Sequence, residues 1–523
     1  MKSRRLIMIK FKRFIAALLC AILGAMSLVL AACSGGTDTG RGLENVVNDI
    51  EFDEYGDPIF DNINLKVWSV IGKPDNAYYS VINGMFNDYY RVNGLKATVT
   101  EVDVSAFYTQ LAQTLNTDPD NAPDVVLFHS ERLQMLASQN ILMPMNTFYE
   151  ALGDHNTFAT SNYVDSVIQQ CYYNDKLYGV PLDVHSGVWY CRQDIIERNG
   201  LQVPHTLSQF VAVNNALIDL YKNDNLWIRS LDNPTWRKVG RTGNDAFGAS
   251  YEPVVMSSVG GIETGWIPQT AVVQNGGTIT AANGNPAWNT EGLKDVMEMF
   301  RDWQKGTGSF KGTEYSGKFV ATNSDANTTW SNLASGQSVF CFEGPWYCAD
   351  RFNEYNEALS ERTDGSPTGE KYSPLTIINP SKMFALDEDA DCADKVYGVG
   401  HCISVVSTVK SLTRCVAAAL YAQYVTENSA EYMQGGHMPA NKAVLASDKF
   451  KAIDGYDEYL KLMGNPENFV MLGDTKHYGA VYECLKGVYA DVFSSTNQSV
   501  SVQTIINSRY NEAIGIINAN VGL

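Results

Sequence analysis

The sequence predicts an α/β protein folded as at least two lobes. Three observations carry this expectation. Leu65-Lys66-Val67-Trp68-Ser69-Val70 alternates as a strand and hands over, through the turn residues Gly72 to Asn76, to a segment with helical apolar spacing. Pro123-Asp124-Val125-Val126-Leu127-Phe128 is a continuous apolar run of the kind shown by parallel strands covered on both faces. At 523 residues the chain also exceeds what one hydrophobic core organises.

The N-terminus reads as export machinery. Lys2, Arg4, Arg5, Lys10, Lys12 and Arg13 precede an uncharged run from Phe14 to Ala31 that ends in small residues beside Cys33. This resembles a bacterial lipoprotein signal, which implies cleavage after residue 32 and a lipid on Cys33. An uncleaved anchor helix is the alternative, because eighteen residues just reach membrane-spanning length. Either arrangement leaves the folded part outside the cytoplasm. Residues 33–59, opening with Ser34-Gly35-Gly36-Thr37, read as a flexible tether.

After the first strand, Tyr78, Val81, Ile82, Met85, Phe86 and Tyr89 predict a helix capped by Asp75 or Asn76. Lys96 to Val102 alternates as the second strand, the apolar run at 123–128 is the third, and a short helix follows from Glu131 to Gln139. Strand, helix, strand, strand, helix in this register argues for a mainly parallel sheet, whose ligands bind beyond the carboxyl ends of its strands. A second block begins with the extended run Tyr178 to Tyr190 and a helix over Gln193–Asn199 stopped by Gly200. Next come a helix carrying Leu293, Val296, Met297 and Phe300, a short helix at Trp330 to Ala334, and the strand Ser338 to Phe342 with Glu343-Gly344-Pro345-Trp346 at its exit. A last extended run, Tyr397 to Val405, leads into a helix with Val416, Ala419, Leu420 and Tyr424 on one face.

Composition narrows the function. Cleavage after residue 32 removes six basic residues and takes the formal charge from −19 to −25. So acidic a surface repels phosphate backbones, which argues against nucleic acid as a partner. Beyond Cys33 stand Cys171, Cys191, Cys341, Cys348, Cys392, Cys402, Cys415 and Cys484, with no CxxC pair. Buried free thiols are the favoured reading and disulfides the alternative. Gly312 to Lys318 matches GxxxxGK, but Phe319 replaces the Ser or Thr that would hold magnesium. Asp387, Asp389, Asp391 and Asp394 imitate the opening of a calcium loop, yet Cys392 stands where its glycine belongs. The seven histidines show no metal-ligand spacing, so neither metal nor cofactor is expected.

The order of these segments resembles the extracellular solute-binding proteins of ABC transporters, family 1, whose best-known relatives bind maltose and other sugars. The matches are Leu65 to Trp68, Pro123 to Val126 with Glu131-Arg132, and Tyr178-Gly179-Val180-Pro181 with Trp189-Tyr190. Further along are Leu333 to Gln337 leading to Gly344-Pro345-Trp346, and the Tyr397 strand with Met438-Pro439-Ala440. The chain departs from the family in its length, with extra sequence around 222–290 and 352–395.

The resemblance implies a periplasmic-binding-protein-like type II fold, two α/β lobes with a hinge and an interlobe cleft. It implies a monomer, held to the membrane by its lipid anchor, that delivers a carbohydrate to ABC permease subunits. The lobes would comprise residues 60–182 with 400–450, and 187–398 with 460–523. Sugar recognition calls for flat rings against C–H faces and charged groups for hydroxyls. On that logic Trp346 is the stacking platform, with Glu343 beside it; Glu131, Arg132 and Ser130 match sugar-contacting positions of maltose-type binders, and Lys73 follows the first strand as in those relatives. Asp183 and His185 sit on the first crossing. Among Trp189, Trp266, Trp288 and Trp330, only Trp330 lies near a matched motif and joins the candidates, whereas Trp68, Tyr78 and Tyr79 read as packing. Two other readings stay open: a secreted glycan hydrolase, which needs two carboxylates flanking a cleft, and the same fold holding a peptide, polyamine or metal chelate.

Overall fold

The computed structural model describes residues 50–520, apart from positions 74, 243–246, 248–249, 258–260, 324–325, 349, 361–373, 410, 454–455 and 473–476. The signal segment, Cys33 and the tether up to residue 49 lie outside the described residues. Within the span read as tether, Glu51–Phe52 pairs antiparallel with Pro58–Ile59. Phe52 also stacks on His155 at a centroid distance of 3.8 Å.

The chain builds the first lobe from β1 (Ile63–Ser69), α1 (Asn76–Tyr90), β2 (Leu95–Glu101), α2 (Val104–Thr117), β3 (Val125–His129) and β4 (Val180–Pro181). It crosses through β5 (Asp183–Val184) and enters the second lobe as β6 (Val188–Cys191), followed by α3 (Gln193–Arg198) and α4 (Leu207–Lys222). There follow β7 (Val254–Ser257), α5 (Glu263–Gln274), α6 (Glu291–Lys305), β8 (Val320–Asn323), α7 (Ala326–Ser335), β9 (Phe340–Glu343) and β10 (Thr376–Ile378). The return crossing delivers β11 (His401–Val405), α8 (Leu412–Glu427) and β12 (Met438–Pro439) to the first lobe. The chain finishes on the second lobe with α9 (Tyr456–Met463), α10 (Tyr478–Phe493) and α11 (Val502–Asn520). Among the described residues no helix is long and apolar enough to cross a membrane.

Both sheets have five strands and the same plan, β2-β1-β3-β11-β4 in one lobe and β8-β7-β9-β6-β10 in the other. In each, the first three strands are parallel, and the fourth runs antiparallel to its neighbours and is the strand that has just crossed from the other lobe. Carboxyl ends of the parallel strands therefore point one way in each lobe, which is where open α/β sheets place ligands.

The helical spacing read from sequence corresponds to the buried face of α1, which sets Tyr79, Ile82, Phe86 and Tyr90 inward. On α6 the Thr290 hydroxyl accepts from the Leu293 N–H, and Leu293, Val296, Met297, Phe300 and Trp303 are buried. The eight described cysteines are all free thiols, and all except Cys392 are buried. In the acidic 387–394 segment, Asp394 accepts from the Ser381 hydroxyl at 2.6 Å.

One buried ion network anchors the second lobe. Arg192 donates to both Asp194 oxygens at 2.9 Å, and Arg229 Nε adds a bond to Oδ2 at 2.7 Å. Arg192 also donates to the carbonyls of Leu333 and Arg229, so one guanidinium links the end of β6 to α7 and to the segment after Ile228. Burial alone would raise the Asp194 pKa, but the charge of Arg192 beside it keeps the group below its ordinary value. Removing Asp194 strands two buried cations. Asp194→Ala is expected to lower stability by about 3–5 kcal/mol, read as a reduced urea midpoint with an unchanged slope.

Candidate functional site between the lobes

The site grows from the strand exits. Beyond β1 the chain turns into α1, whose N-cap position is held by Asp75. Its carboxylate makes no capping bond; Oδ2 instead accepts from His437 Nε2 at 3.0 Å, and Oδ1 has no partner among the described residues. Beyond β3, Ser130–Arg132 forms a single 3-10 turn ahead of a short helix, Leu133–Ser138, where a continuous helix from Glu131 was expected. Ser130 is buried, its hydroxyl donating to Gln170. Glu131 is buried with Oε2 unpartnered, and burial raises its pKa against the opposing charge of Arg132. Arg132 lies over the rings of Tyr108 at 5.4 Å and Tyr478 at 4.8 Å, a contact that reaches from the first lobe to the second.

The crossings meet around Asp183, which is fully buried. Its Oδ1 accepts the His401 backbone N–H at 3.0 Å and lies 3.1 Å from His185 Nδ1, while Oδ2 is 2.8 Å from His401 Nδ1. His437 Nδ1 stands 3.2 Å from His185 Nδ1 and 3.8 Å from Asp183 Oδ2. Burial works against the Asp183 charge, but the surrounding imidazoles, His401 foremost, hold its pKa well below the carboxylate range. Burial drives His185 the other way, down to about 4 despite its bond to Asp183. For His437 burial is outweighed by the carboxylates of Asp75 and Asp183, and its pKa is raised. Tyr432 stacks on the His437 ring at 4.7 Å, and the His129 ring lies 4.8 Å from that of His401. Asp183, His185, His401 and His437 each offer a ligand atom within 4.8 Å of the others.

The second lobe contributes rings and carboxylates. Trp346, half-buried on the turn after β9, lies 6.0 Å from Trp266 on α5 and 6.4 Å from His185, edge to face in both cases. Trp266 is itself 5.8 Å from His185. Glu343 and Glu263 are buried, and each has one oxygen without a partner among the described residues. Burial pushes Glu343 up to about 7, and burial together with the charge of Glu343 raises Glu263 well above its usual value. The lobes touch here as well. Gly436, at φ +83°, brings its Cα so close to the Pro345 carbonyl that a Cβ would lie 1.9 Å from the oxygen, so only glycine fits.

Of the residues singled out from sequence, the structure groups Asp183, His185, Glu131, Arg132, Ser130, Glu343 and Trp346 around the lobe contact. Lys73 is exposed on the turn before α1. Trp330 belongs to the core: it is 3 % exposed and packs against Tyr190, Tyr347 and Tyr355. The histidines are not scattered as their spacing suggested, since folding gathers His129, His185, His401 and His437. Sequence reasoning did not select Glu263, Trp266, His401, His437 or Asp75 as site residues. His401 carried a signal, lying within the extended run Tyr397 to Val405 read from sequence, part of which the structure pairs antiparallel with β3.

The Glu263–Glu343 pair sets a pH dependence. A carboxyl whose folded pKa is raised from 4.5 to about 7 favours folding while protonated, so its contribution is complete below pH 4.5 and fades as pH rises through 7. Urea denaturation of the ligand-free chain is expected to show stability falling by on the order of 2 kcal/mol from pH 5 to pH 8. Glu343→Gln should flatten that slope, and an unchanged slope would count against the pair as its source.

Comparison with known proteins agrees with this architecture. Residues 86–455 match the family model described as bacterial extracellular solute-binding protein. No curated protein matches the chain. Among solved structures, the GacH receptor of Streptomyces glaucescens, solved unliganded and with acarbose, superposes with a TM-score of 0.61 at 12 % identity over 86 % of this chain and 98 % of its own. The ABC substrate-binding protein Lmo0181 of Listeria monocytogenes, in complex with cycloalternan, gives 0.60 at 13 % identity over 87 % and 99 %. UgpB of Mycobacterium tuberculosis, in complex with glycerophosphocholine, gives 0.60 at 16 % identity over 88 % and 99 %. With a match across most of its length and twin sheets joined by crossings, the chain belongs to the bacterial extracellular solute-binding protein family and has its type II two-lobed fold.

Proposed function

We propose that the protein captures a carbohydrate, in the oligosaccharide class, between its lobes and delivers it to an ABC permease without breaking a bond. The observation that carries this is the pairing of Trp346 and Trp266 with four buried carboxylates, Asp75, Glu131, Glu263 and Glu343, each with an oxygen lacking a partner among the described residues. Flat rings suit the C–H faces of a pyranose, and unpaired carboxylate oxygens suit its hydroxyl rim. In this reading Trp346 stacks on the sugar. Glu131, Glu343 and Asp75 accept from hydroxyls, Arg132 donates, and Asp183 with His185 shapes the floor, while Ser130 supports Glu131 from behind. Closure is a hinge motion at the crossings near 182–186 and 398–404, with a third crossing around 445–460. The division of lobes is residues 60–182 with 400–450 against 187–398 with 460–523. Two solved relatives in complex with acarbose and cycloalternan support the sugar class.

The same carboxylates favour a second reading, an oligoamine, since buried anions beside tryptophan rings also suit cations. Tryptophan fluorescence and thermal shift against oligosaccharides and polyamines separate the two, and product analysis of the same mixtures tests for hydrolysis. Stabilisation by a sugar that stays intact supports the proposal. A response to polyamines alone, or cleavage of the sugar, overturns it.

We also propose export by residues 1–32 and lipid attachment at Cys33, which hold a monomer at the membrane face beside its permease. Trp346→Ala is expected to weaken sugar binding by about 1–3 kcal/mol with the fold retained, measured by calorimetric titration. Cys33→Ser should release the protein from membranes into the soluble fraction, because a single acyl-type anchor holds only through its buried chain.

A further inference from the structure

Four side chains on three separate chain segments converge at the crossings, each offering a ligand atom within 4.8 Å of the others, a spacing that a small contraction brings to that of a metal site. A tetrahedral ion with nitrogen and oxygen ligands at about 2.0–2.1 Å holds those ligands about 3.3–3.4 Å apart. Here Asp183 Oδ1 is 3.1 Å from His185 Nδ1, His185 Nδ1 is 3.2 Å from His437 Nδ1, Asp183 Oδ2 is 2.8 Å from His401 Nδ1, and His437 Nδ1 is 3.8 Å from Asp183 Oδ2. All four residues are buried.

Hydrogen bonding alone serves this arrangement poorly. His185 Nδ1 faces both a carboxylate oxygen and the Nδ1 of His437, and one hydrogen cannot bridge both at full strength. The surroundings also have the form of a second coordination shell. His437 presents Nε2 to Asp75 at 3.0 Å while its Nδ1 faces the cluster, which is the carboxylate–histidine–metal relay that fixes ring orientation. Tyr432 stacks flat on the same ring at 9°.

We propose that Asp183, His185, His401 and His437 form a four-coordinate site for a zinc-class divalent cation, with Asp75 as the residue that positions His437. Three imidazoles and one carboxylate are the ligand chemistry of zinc and its borderline neighbours rather than of calcium or magnesium. The ion joins the outgoing crossing, the return crossing and the segment before β12, so it braces the hinge side of the first lobe. This goes beyond sugar capture and does not depend on it.

The test uses the tag-free full chain stripped with a chelator and titrated with zinc chloride in a calorimeter. One ion per chain is expected, with a rise in melting temperature. Cobalt chloride should give the intense visible bands of a tetrahedral site. His401→Ala and His437→Ala should each weaken zinc binding at least about a hundredfold, and Asp75→Asn about ten- to a hundredfold. His205→Ala, at the surface, should leave it unchanged. X-ray absorption of the zinc-loaded wild type guards against a variant that fails to fold, and should report nitrogen and oxygen neighbours only. A folded chain that takes up no zinc, uptake indifferent to both histidine substitutions, or a sulfur neighbour overturns the site. The Trp346→Ala sugar titration reads out separately, so either reading can fail alone.

Discussion

A buried carboxylate without a lysine or arginine beside it is the constraint around which the molecule is organised. An isolated ionised group at Asp183 would cost several kcal/mol in desolvation. What offsets that cost comes from elsewhere in the chain: the backbone N–H and ring of His401, and the ring of His185. Main-chain bonds lace the same place, with His185 and Val399 exchanging a reciprocal pair at 2.8 and 2.9 Å and Leu182 donating to the His401 carbonyl at 2.8 Å. Gly400 permits the approach, since a Cβ there would sit 2.2 Å from the Asp183 carbonyl oxygen. The two crossings thus form one knot, and the lobes are attached to it from either side.

Repetition of the strand plan then places the chemistry. Because each sheet orders its strands in the same way about the strand that crossed over, the exits of β1 and β3 in one lobe and of β7 and β9 in the other are the ends nearest the knot. Glu343 closes β9 itself, and Asp75, Glu131, Glu263 and Trp346 each follow one of those exits within a few residues. Their side chains are carried by rigid strand ends and helix starts, and the segments between can lengthen without moving them. The short antiparallel pair formed by Leu226–Ile228 and Arg237–Val239 lies in one such segment, between α4 and β7.

The fold was legible because strands with one role keep one pattern. β3 is an unbroken apolar run since both its faces are covered, and α1 keeps an apolar stripe since only one of its faces is. Of the candidate site, Glu131, Arg132, Glu343 and Trp346 were singled out from sequence because each stands at the end of such an element or just beyond it. The site was hidden where no pattern exists. Every residue of α5 is buried, so the helix carrying Glu263 and Trp266 has no polar face to set a period, and Pro268 within it reads as a breaker. His185, His401 and His437 lie far apart in sequence and become neighbours through main-chain pairing, the His185–Val399 bridge and β12 against β5. Trp330 misled for the converse reason: it stands beside a matched motif, but helix α7 turns it toward Tyr190 and the core.

Carboxylate oxygens without a partner among the described residues make lobe closure conditional in the proposed reading. Buried polar groups are nearly always satisfied, yet among the described residues Asp75, Glu131, Glu263 and Glu343 each have an oxygen without a partner. With the lobes apart, water would supply the missing donors. With the lobes together, that hydration is lost, and Glu263 and Glu343 respond by binding protons more tightly. The shut form is therefore stable only to the extent that something else donates to those oxygens, whether a proton or a guest with hydrogens to offer. The aromatic contacts across the gap, Arg132 on Tyr478 and Trp346 against His185, supply attraction without meeting that demand. In the proposed reading, closure is coupled to occupancy by electrostatics already built into the strand exits.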